Sequence, residues 1–287
     1  MSPDGQEWFG GKLYRFENCN FPAGFRLGDG VFETIRTYNG IPFKLTAHIS
    51  RLLSGARAIG LKELPDIESV KEQIMDILMS RISETPKVEW ILRPMLFSDH
   101  NLWGFVVLVD PIEIPEKSSP EEGLTVGISS HPHPEGYLIP PSGETQVKWI
   151  SRGPLSHALR DATSMGWDEA LLTNSRGRIV EGTRSNIMVI RQNLIVSPGP
   201  KSFAFPGITR NTVVESAKTM GLEVIDRPLE LVELLEAHEA LLTSTLLGVR
   251  PVLNAIYGNK VQRFKPGELS KVLINDYINE TQKQKRF

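Results

Sequence analysis

The 287-residue sequence predicts a two-domain α+β chain: a small N-terminal α/β domain over 1–111, a linker over 112–123 and a larger domain over 124–287. Three observations predict it. The chain is long for one hydrophobic core. Its first third carries a hairpin signal, two helical stripes and two strands. After the polar, proline-rich stretch 111–123, which has no apolar period, short strands alternate with helices.

The elements follow in order. Strands over 31–38 and 41–45 flank Asn39-Gly40, a strong hairpin signal. Thr46 is placed to cap a helix with Ile49, Leu52, Leu53, Ala56 and Ile59 on one stripe. Asp66 is placed to cap a second helix, with Val70, Ile74, Ile77, Leu78 and Ile82 in register. Strands are expected over 90–97 and 105–110. Past the linker, strands are expected over 125–129, 169–173, 194–197, 223–225 and 240–243. Helices are expected from Pro154 to Gly166, from Thr209 to a stop at Gly221, and from Pro266 to about Gln284. The run from Ile179 to Met188 is broken by Glu181, Gly182, Thr183, Arg184 and Ser185. It reads as two strand pieces joined where backbone and hydroxyls face a ligand.

Composition narrows the function. With 40% hydrophobic and 23% charged residues, the chain is ordinary for a soluble globular protein. Lys and Arg number 32 against 34 Asp and Glu, so no basic excess points to nucleic acid. No apolar run is long enough to span a bilayer, and the N-terminus lacks a basic start and an apolar core, so neither a membrane partner nor a signal peptide is expected. The single cysteine, Cys19, excludes an intramolecular disulfide and fits a reducing cytoplasm.

The candidate chemistry begins with Lys148, flanked by Val147 and Trp149. Shielding from water lowers a lysine's pKa and makes it a usable amine nucleophile, although a lysine on an edge strand more often reaches for solvent. Glu181 is the carboxylate of the broken strand; beside it Gly182 permits close backbone approach, and Thr183, Ser185 and Asn186 add hydrogen-bonding groups. A lysine able to hold a carbonyl cofactor and a carboxylate able to keep a ring nitrogen protonated form the seed of a pyridoxal phosphate site. Pro206-Gly207-Ile208-Thr209-Arg210 opens a helix whose first N–H groups suit an anion. Thr243-Ser244-Thr245 ends a strand with three hydroxyls. Arg51 shares a helix face with His48 and is a candidate phosphate clamp, His48 being structural. Arg93 lies inside an apolar strand and needs a carboxylate partner, from the protein or from a substrate.

Together these residues resemble the fold-type IV pyridoxal phosphate enzymes, the class-IV aminotransferase family, which includes branched-chain and D-amino acid aminotransferases and aminodeoxychorismate lyases. The resemblance runs from about Gly28 to Val252. It rests on Gly28-Asp29-Gly30-Val31-Phe32-Glu33, His48-Ile49-Ser50-Arg51-Leu52, Lys148, Trp167-Asp168-Glu169-Ala170, Glu181-Gly182-Thr183-Arg184-Ser185-Asn186, Gly207-Ile208-Thr209-Arg210 and Thr243-Ser244-Thr245, in the family's order. It implies a D-amino acid aminotransferase-like fold with a β-barrel-like core in the larger domain, pyridoxal 5'-phosphate as cofactor, no metal, and a homodimer. Lys148 would carry the cofactor as an aldimine and shuttle a proton. Glu181 would meet the ring nitrogen, with Ser185 and Asn186 beside it, and Arg51, the backbone of Ile208 and Thr209, and Thr245 would hold the phosphate.

The implied reaction moves an amino group between a small, possibly branched-chain, amino acid and a 2-oxo acid. Arg93, Thr34, Phe32 and Leu27 would line the substrate side. Arg93-Pro94 resembles the branched-chain enzymes, yet the tyrosines those enzymes place around the pocket are replaced by Leu27, Ile91 and Gly153. The carboxylate trap of the D-amino acid enzymes is reduced to His100 in Ser98-Asp99-His100. Thr34 and Arg152 resemble the aminodeoxychorismate lyases, which makes release of pyruvate and 4-aminobenzoate the alternative.

Overall fold

Asn39 and Gly40 both adopt positive φ, 55° and 77°, and make the tight turn their sequence predicts. The turn joins β4 (Ile35–Tyr38) to β5 (Ile41–Pro42) with Tyr38 opposite Ile41. A computed structural model describes residues 6–9, 12–15, 23–84, 88–99, 102–112, 122–134 and 146–283. Cys19, His100, most of the expected linker and most of the 130–145 loop lie outside the described residues.

The N-terminal part contains a two-stranded ribbon, β1 (Gln6–Phe9) with β2 (Lys12–Arg15), then α1 (Ala23–Leu27) and β3 (Gly30–Phe32). β3 and β4 both pair with β6 (Trp90–Asp99), which also pairs along its length with β7 (Leu102–Pro111). The single strand expected over 31–38 is therefore two pieces. The Glu33 N–H donates to the Pro94 carbonyl, but Pro94 has no N–H to return, and the ladder lapses there. Helices α2 (Leu45–Ala58) and α3 (Ile67–Glu84) cover one face of this five-stranded sheet, burying Ile49, Leu52, Leu53, Ile74 and Leu78 against Ile35, Leu92 and Leu96. Asp66 caps α3 as expected, accepting from the Ser69 N–H at 2.8 Å. Thr46 does not cap α2. The helix begins one residue earlier, at Leu45, behind Lys44 in the left-handed region.

The second sheet has nine strands in the order β10-β9-β8-β15-β14-β11-β12-β13, with β16 on β15, and curls into a half-barrel. Its strands are β8 (Leu124–Pro132), β9 (Glu169–Thr173), β10 (Ile179–Gly182), β11 (Asn186–Arg191), β12 (Leu194–Val196), β13 (Glu223–Ile225), β14 (Glu239–Ser244), β15 (Gly248–Tyr257) and β16 (Lys260–Arg263). Helices α4 (Gly153–Ser164), α5 (Ile208–Thr219), a short α6 (Leu231–Leu235) and α7 (Glu268–Gln282) accompany it. Cores form on both of its faces, one around Leu171, Ile187, Val189 and Leu242, the other around Met188, Ile190, Leu241 and Val213. Among the described residues no helix is long and apolar enough to cross a membrane.

Candidate active site

The Lys148 segment lies between the two sheets. Phe32 N–H donates to the Lys148 carbonyl and Ile150 N–H to the Gly30 carbonyl, both at 2.9 Å, so residues 148–150 form a short extra rung on β3. Val147 packs into the core under α2, which directs Lys148 the other way, as strand alternation requires. Its Nζ lies 5.0 Å from the centre of the Phe32 ring and 4.8 Å from that of Phe205. Burial, and next the Arg152 guanidinium, push the amine down to about 7. A large fraction is therefore neutral at physiological pH, the form that attacks a carbonyl.

Lys148 opens onto a cavity of about 670 Å³. Arg51, Glu181, Ser185, Asn186, Ile208, Thr209 and Thr245 line it too, so the seven other residues expected at the cofactor all meet the lysine there. β10 ends at Gly182 and β11 begins at Asn186, so the broken run is two strands joined at 183–185. Glu169, buried on β9, organises that joint: it accepts from the Thr183 N–H at 3.1 Å, the Thr183 hydroxyl at 2.5 Å and the Ser185 hydroxyl at 2.9 Å. Ser185 thus turns its hydroxyl to Glu169, while Asn186 Nδ2 donates to the Phe205 carbonyl at 2.9 Å.

Glu181 is buried with both oxygens engaged. Oε2 accepts from the Phe205 N–H and Oε1 is 2.8 Å from His133 Nε2. The His133 side chain is fully buried and its Nδ1 has no partner among the described residues.

Across the cavity, α5 starts behind Gly207 with no side-chain cap. Its first backbone bond runs from Asn211 N–H to the Gly207 carbonyl, which leaves the N–H groups of Ile208, Thr209 and Arg210 without helical acceptors. A Cβ at Gly207 would stand 2.0 Å from Asn186 Oδ1, so a larger residue there would have to displace the Asn186 amide from its bond to Phe205. Arg51 is held against the same turn. Its Nη1 donates to the Pro206 carbonyl, and Nε and Nη2 grip Glu33 at 2.6 and 2.8 Å. Glu33 also takes His48 Nδ1 at 2.8 Å, all but sealed from solvent. Burial pushes the Glu33 carboxyl up, but the Arg51 charge and the bonds from His48 and Arg51 outweigh it and hold it well below the usual range. Burial lowers His48, partly offset by Glu33, which suits a neutral imidazole donating one proton.

The residues expected on the substrate side are more scattered. Phe32 lies under Lys148, as above. Arg93 does not line the cavity; it pairs with Asp110 across β6 and β7. Thr34 is half-buried with its N–H on Glu33, and Leu27 is 78% exposed. His133, Glu33 and Glu169 received no role from the sequence, although Glu33 and Glu169 stand in the quoted motifs. A glutamate inside an apolar strand, as in Glu169-Ala170-Leu171-Leu172, is the available signal, because a buried carboxylate requires donors.

The family model for class IV aminotransferases matches residues 30–255. The chain belongs to this family. The enzyme is 29% identical over 261 residues to a Methanocaldococcus jannaschii protein assigned as a branched-chain-amino-acid aminotransferase, covering 88% of this chain and 87% of that one. It is 28% identical over 302 residues to a D-alanine aminotransferase of Bacillus licheniformis, covering 96% and 98%. Its fold matches the branched-chain aminotransferase of Thermoproteus uzoniensis, solved with norvaline, with TM-score 0.79, 23% identity, and 98% and 96% coverage. It is a pyridoxal 5'-phosphate-dependent aminotransferase.

The cavity fits that cofactor on its own features. It offers a poised amine, a carboxylate, an arginine and a helix start. The buried Thr243 hydroxyl on its wall has no partner among the described residues, as a wall built around a polar ligand would leave it.

Proposed function

We propose that this enzyme transfers the amino group of a small amino acid, with branched-chain side chains included, to a 2-oxo acid. The observation that carries the proposal is the meeting of the buried Lys148 amine, its pKa lowered by burial, and the buried Glu181 carboxylate on one cavity, with Arg51 and the uncapped start of α5 also on its wall. The branched-chain and D-alanine names of its relatives support the substrate class.

Pyridoxal phosphate, when bound, supplies an aldehyde for the amino group and a protonated ring that draws electrons from the substrate's α-carbon. Arg51, the N–H groups of Ile208 and Thr209, and the Thr245 hydroxyl would hold its phosphate. Glu181 would keep the ring nitrogen protonated, with Ser185 and Asn186 shaping the adjoining wall. Lys148 Nζ would hold the cofactor and is the base placed to move the proton at the substrate α-carbon. Phe32 and Phe205 exclude water around that amine.

Arg93 is proposed as the substrate-carboxylate contact. Phe32 is directly opposite Met95, and Met95 and Arg93 share a strand face, so Arg93 stands on the side of β6 that Phe32 occupies. The substrate would replace Asp110 as its partner. Thr34 and Leu27 complete that rim. The division at 1–111, 112–123 and 124–287 stands with this proposal, with residues 148–150 crossing back onto the smaller sheet. We also propose a homodimer, from family membership, in the cytoplasm, where a single cysteine meets a reducing environment.

Arg152 favours the alternative lyase, since it lines the cavity beside Lys148. One assay separates the two reactions. The purified yellow enzyme is given L-leucine, L-valine or D-alanine with 2-oxoglutarate, and separately aminodeoxychorismate. Glutamate formation supports the transaminase; pyruvate released from aminodeoxychorismate without a 2-oxo acid, and no glutamate, would overturn it.

A further inference from the structure

Three metal-binding side chains outside the cavity converge on one point. His131 is at the end of β8, and His157 and Asp161 lie one turn apart on the same face of α4. His131 Nε2 is 2.5 Å from Asp161 Oδ2 and 3.2 Å from His157 Nδ1, and His157 Nδ1 is 3.6 Å from Asp161 Oδ2. The two imidazoles meet edge to face with centres 4.6 Å apart.

We propose that His131, His157 and Asp161 bind one first-row divalent cation of the zinc class. Such ions bond imidazole nitrogen and carboxylate oxygen at about 2.0–2.2 Å, which sets neighbouring donors about 2.8–3.6 Å apart at octahedral or tetrahedral angles. Two of the observed separations fall within that spacing and the His131–Asp161 one is shorter, so small side-chain rotations complete the site. Proton counting favours an ion as well. His131 Nε2 carries at most one hydrogen yet faces both a carboxylate oxygen and a second ring nitrogen. A cation at the centre uses a lone pair from each of the three and leaves no N–H facing another. Two imidazoles with one carboxylate select zinc, cobalt, nickel or copper over magnesium or calcium.

All three side chains remain partly exposed, so the ion has an entry path and open positions for water. Its role is a clip. It ties the end of β8, after which His133 supports Glu181, to α4, which begins just after Lys148. The site is independent of the transamination proposal and stands or falls separately.

The test uses tag-free, chelator-dialysed holoenzyme titrated with zinc by calorimetry and with cobalt by visible absorption. One ion per chain is expected, with a cobalt band, and zinc should raise the melting temperature. His157→Ala, His131→Gln and Asp161→Asn should each weaken binding at least about tenfold and abolish the melting shift. Metal-free transamination should stay at the parent level in all three, which reports intact folding. Absence of a saturable site would overturn the proposal, as would affinities within about twofold of the parent in two or more variants that fold.

Discussion

Glu33→Gln is the most informative single change away from the reacting groups. The native carboxylate is 1% exposed and takes two bonds from Arg51 and one from His48. Glutamine keeps the shape and one acceptor, removes the charge, and puts an NH₂ where donors now point. Breaking one side of a buried ion pair costs roughly 3–5 kcal/mol. Arg51 retains 17% exposure, so water compensates in part and the lower end, about 3 kcal/mol, is expected. That corresponds to a fall of roughly 6–12 °C in the apo-enzyme's melting temperature. Loss of the grip on the guanidinium should also weaken cofactor binding by about tenfold, equal to about 1.4 kcal/mol.

The pH dependence has a fixed sign. The folded-state pKa of Glu33 is below the ordinary 4.5, so its stabilisation is fully present above that value and fades as pH falls through the folded value. The deficit of the variant should therefore be constant from pH 5 to 8 and shrink in stronger acid. The assay is calorimetry of apo-enzyme across pH, paired with fluorescence titration by pyridoxal phosphate. A variant as stable as the parent at pH 7, with the same cofactor affinity, would refute the reasoning.

Three further outcomes are expected. The rate at which apo-enzyme captures pyridoxal phosphate should fall about tenfold per pH unit below about 7 and level off above it, because only the neutral Lys148 amine reacts; a flat stopped-flow profile between pH 5 and 7 would contradict this. His133→Ala leaves Glu181 Oε1 without its buried partner and should raise the cofactor dissociation constant about tenfold and shift the visible absorption, with His133→Gln restoring part of both. Unchanged affinity and spectrum would remove the positioning role. Arg93→Ala should raise KM for the amino acid at least about tenfold while kcat changes less than about threefold; equal loss in both, in steady-state kinetics, would point to a structural pair with Asp110.

Local features were legible in the sequence where one residue decides them. Asn39-Gly40 specified its turn, Asp66 capped α3, and Gly182 with its hydroxyl neighbours marked the joint between β10 and β11. The residues expected at the cofactor each sit in a short motif, and folding brought all of them to one cavity. What escaped depends on distant partners. β15 was hidden because Arg250 and Pro251 disqualify a central strand by composition. Pro251 instead stands close to where the strand shifts register, between Val252 and Asn254, and changes partner from β14 to β8. Lys44 displaced Thr46 at the start of α2 by taking a left-handed conformation that no propensity favours. His133 meets Glu181 across 48 positions of chain, and Glu169 meets the 183–185 joint only once β9 and β10 pair. Arg93 was legible as a cation needing a carboxylate; Asp110 became visible as its partner only when β6 and β7 were in register.

Borohydride reduction of the holoenzyme, followed by peptide mapping, asks the most direct question of all. The cofactor should be found permanently bonded to the peptide carrying Lys148, and Lys148→Ala protein should be colourless and inactive. Cofactor bonded to any other lysine, or turnover that survives in Lys148→Ala, would contradict the assignment.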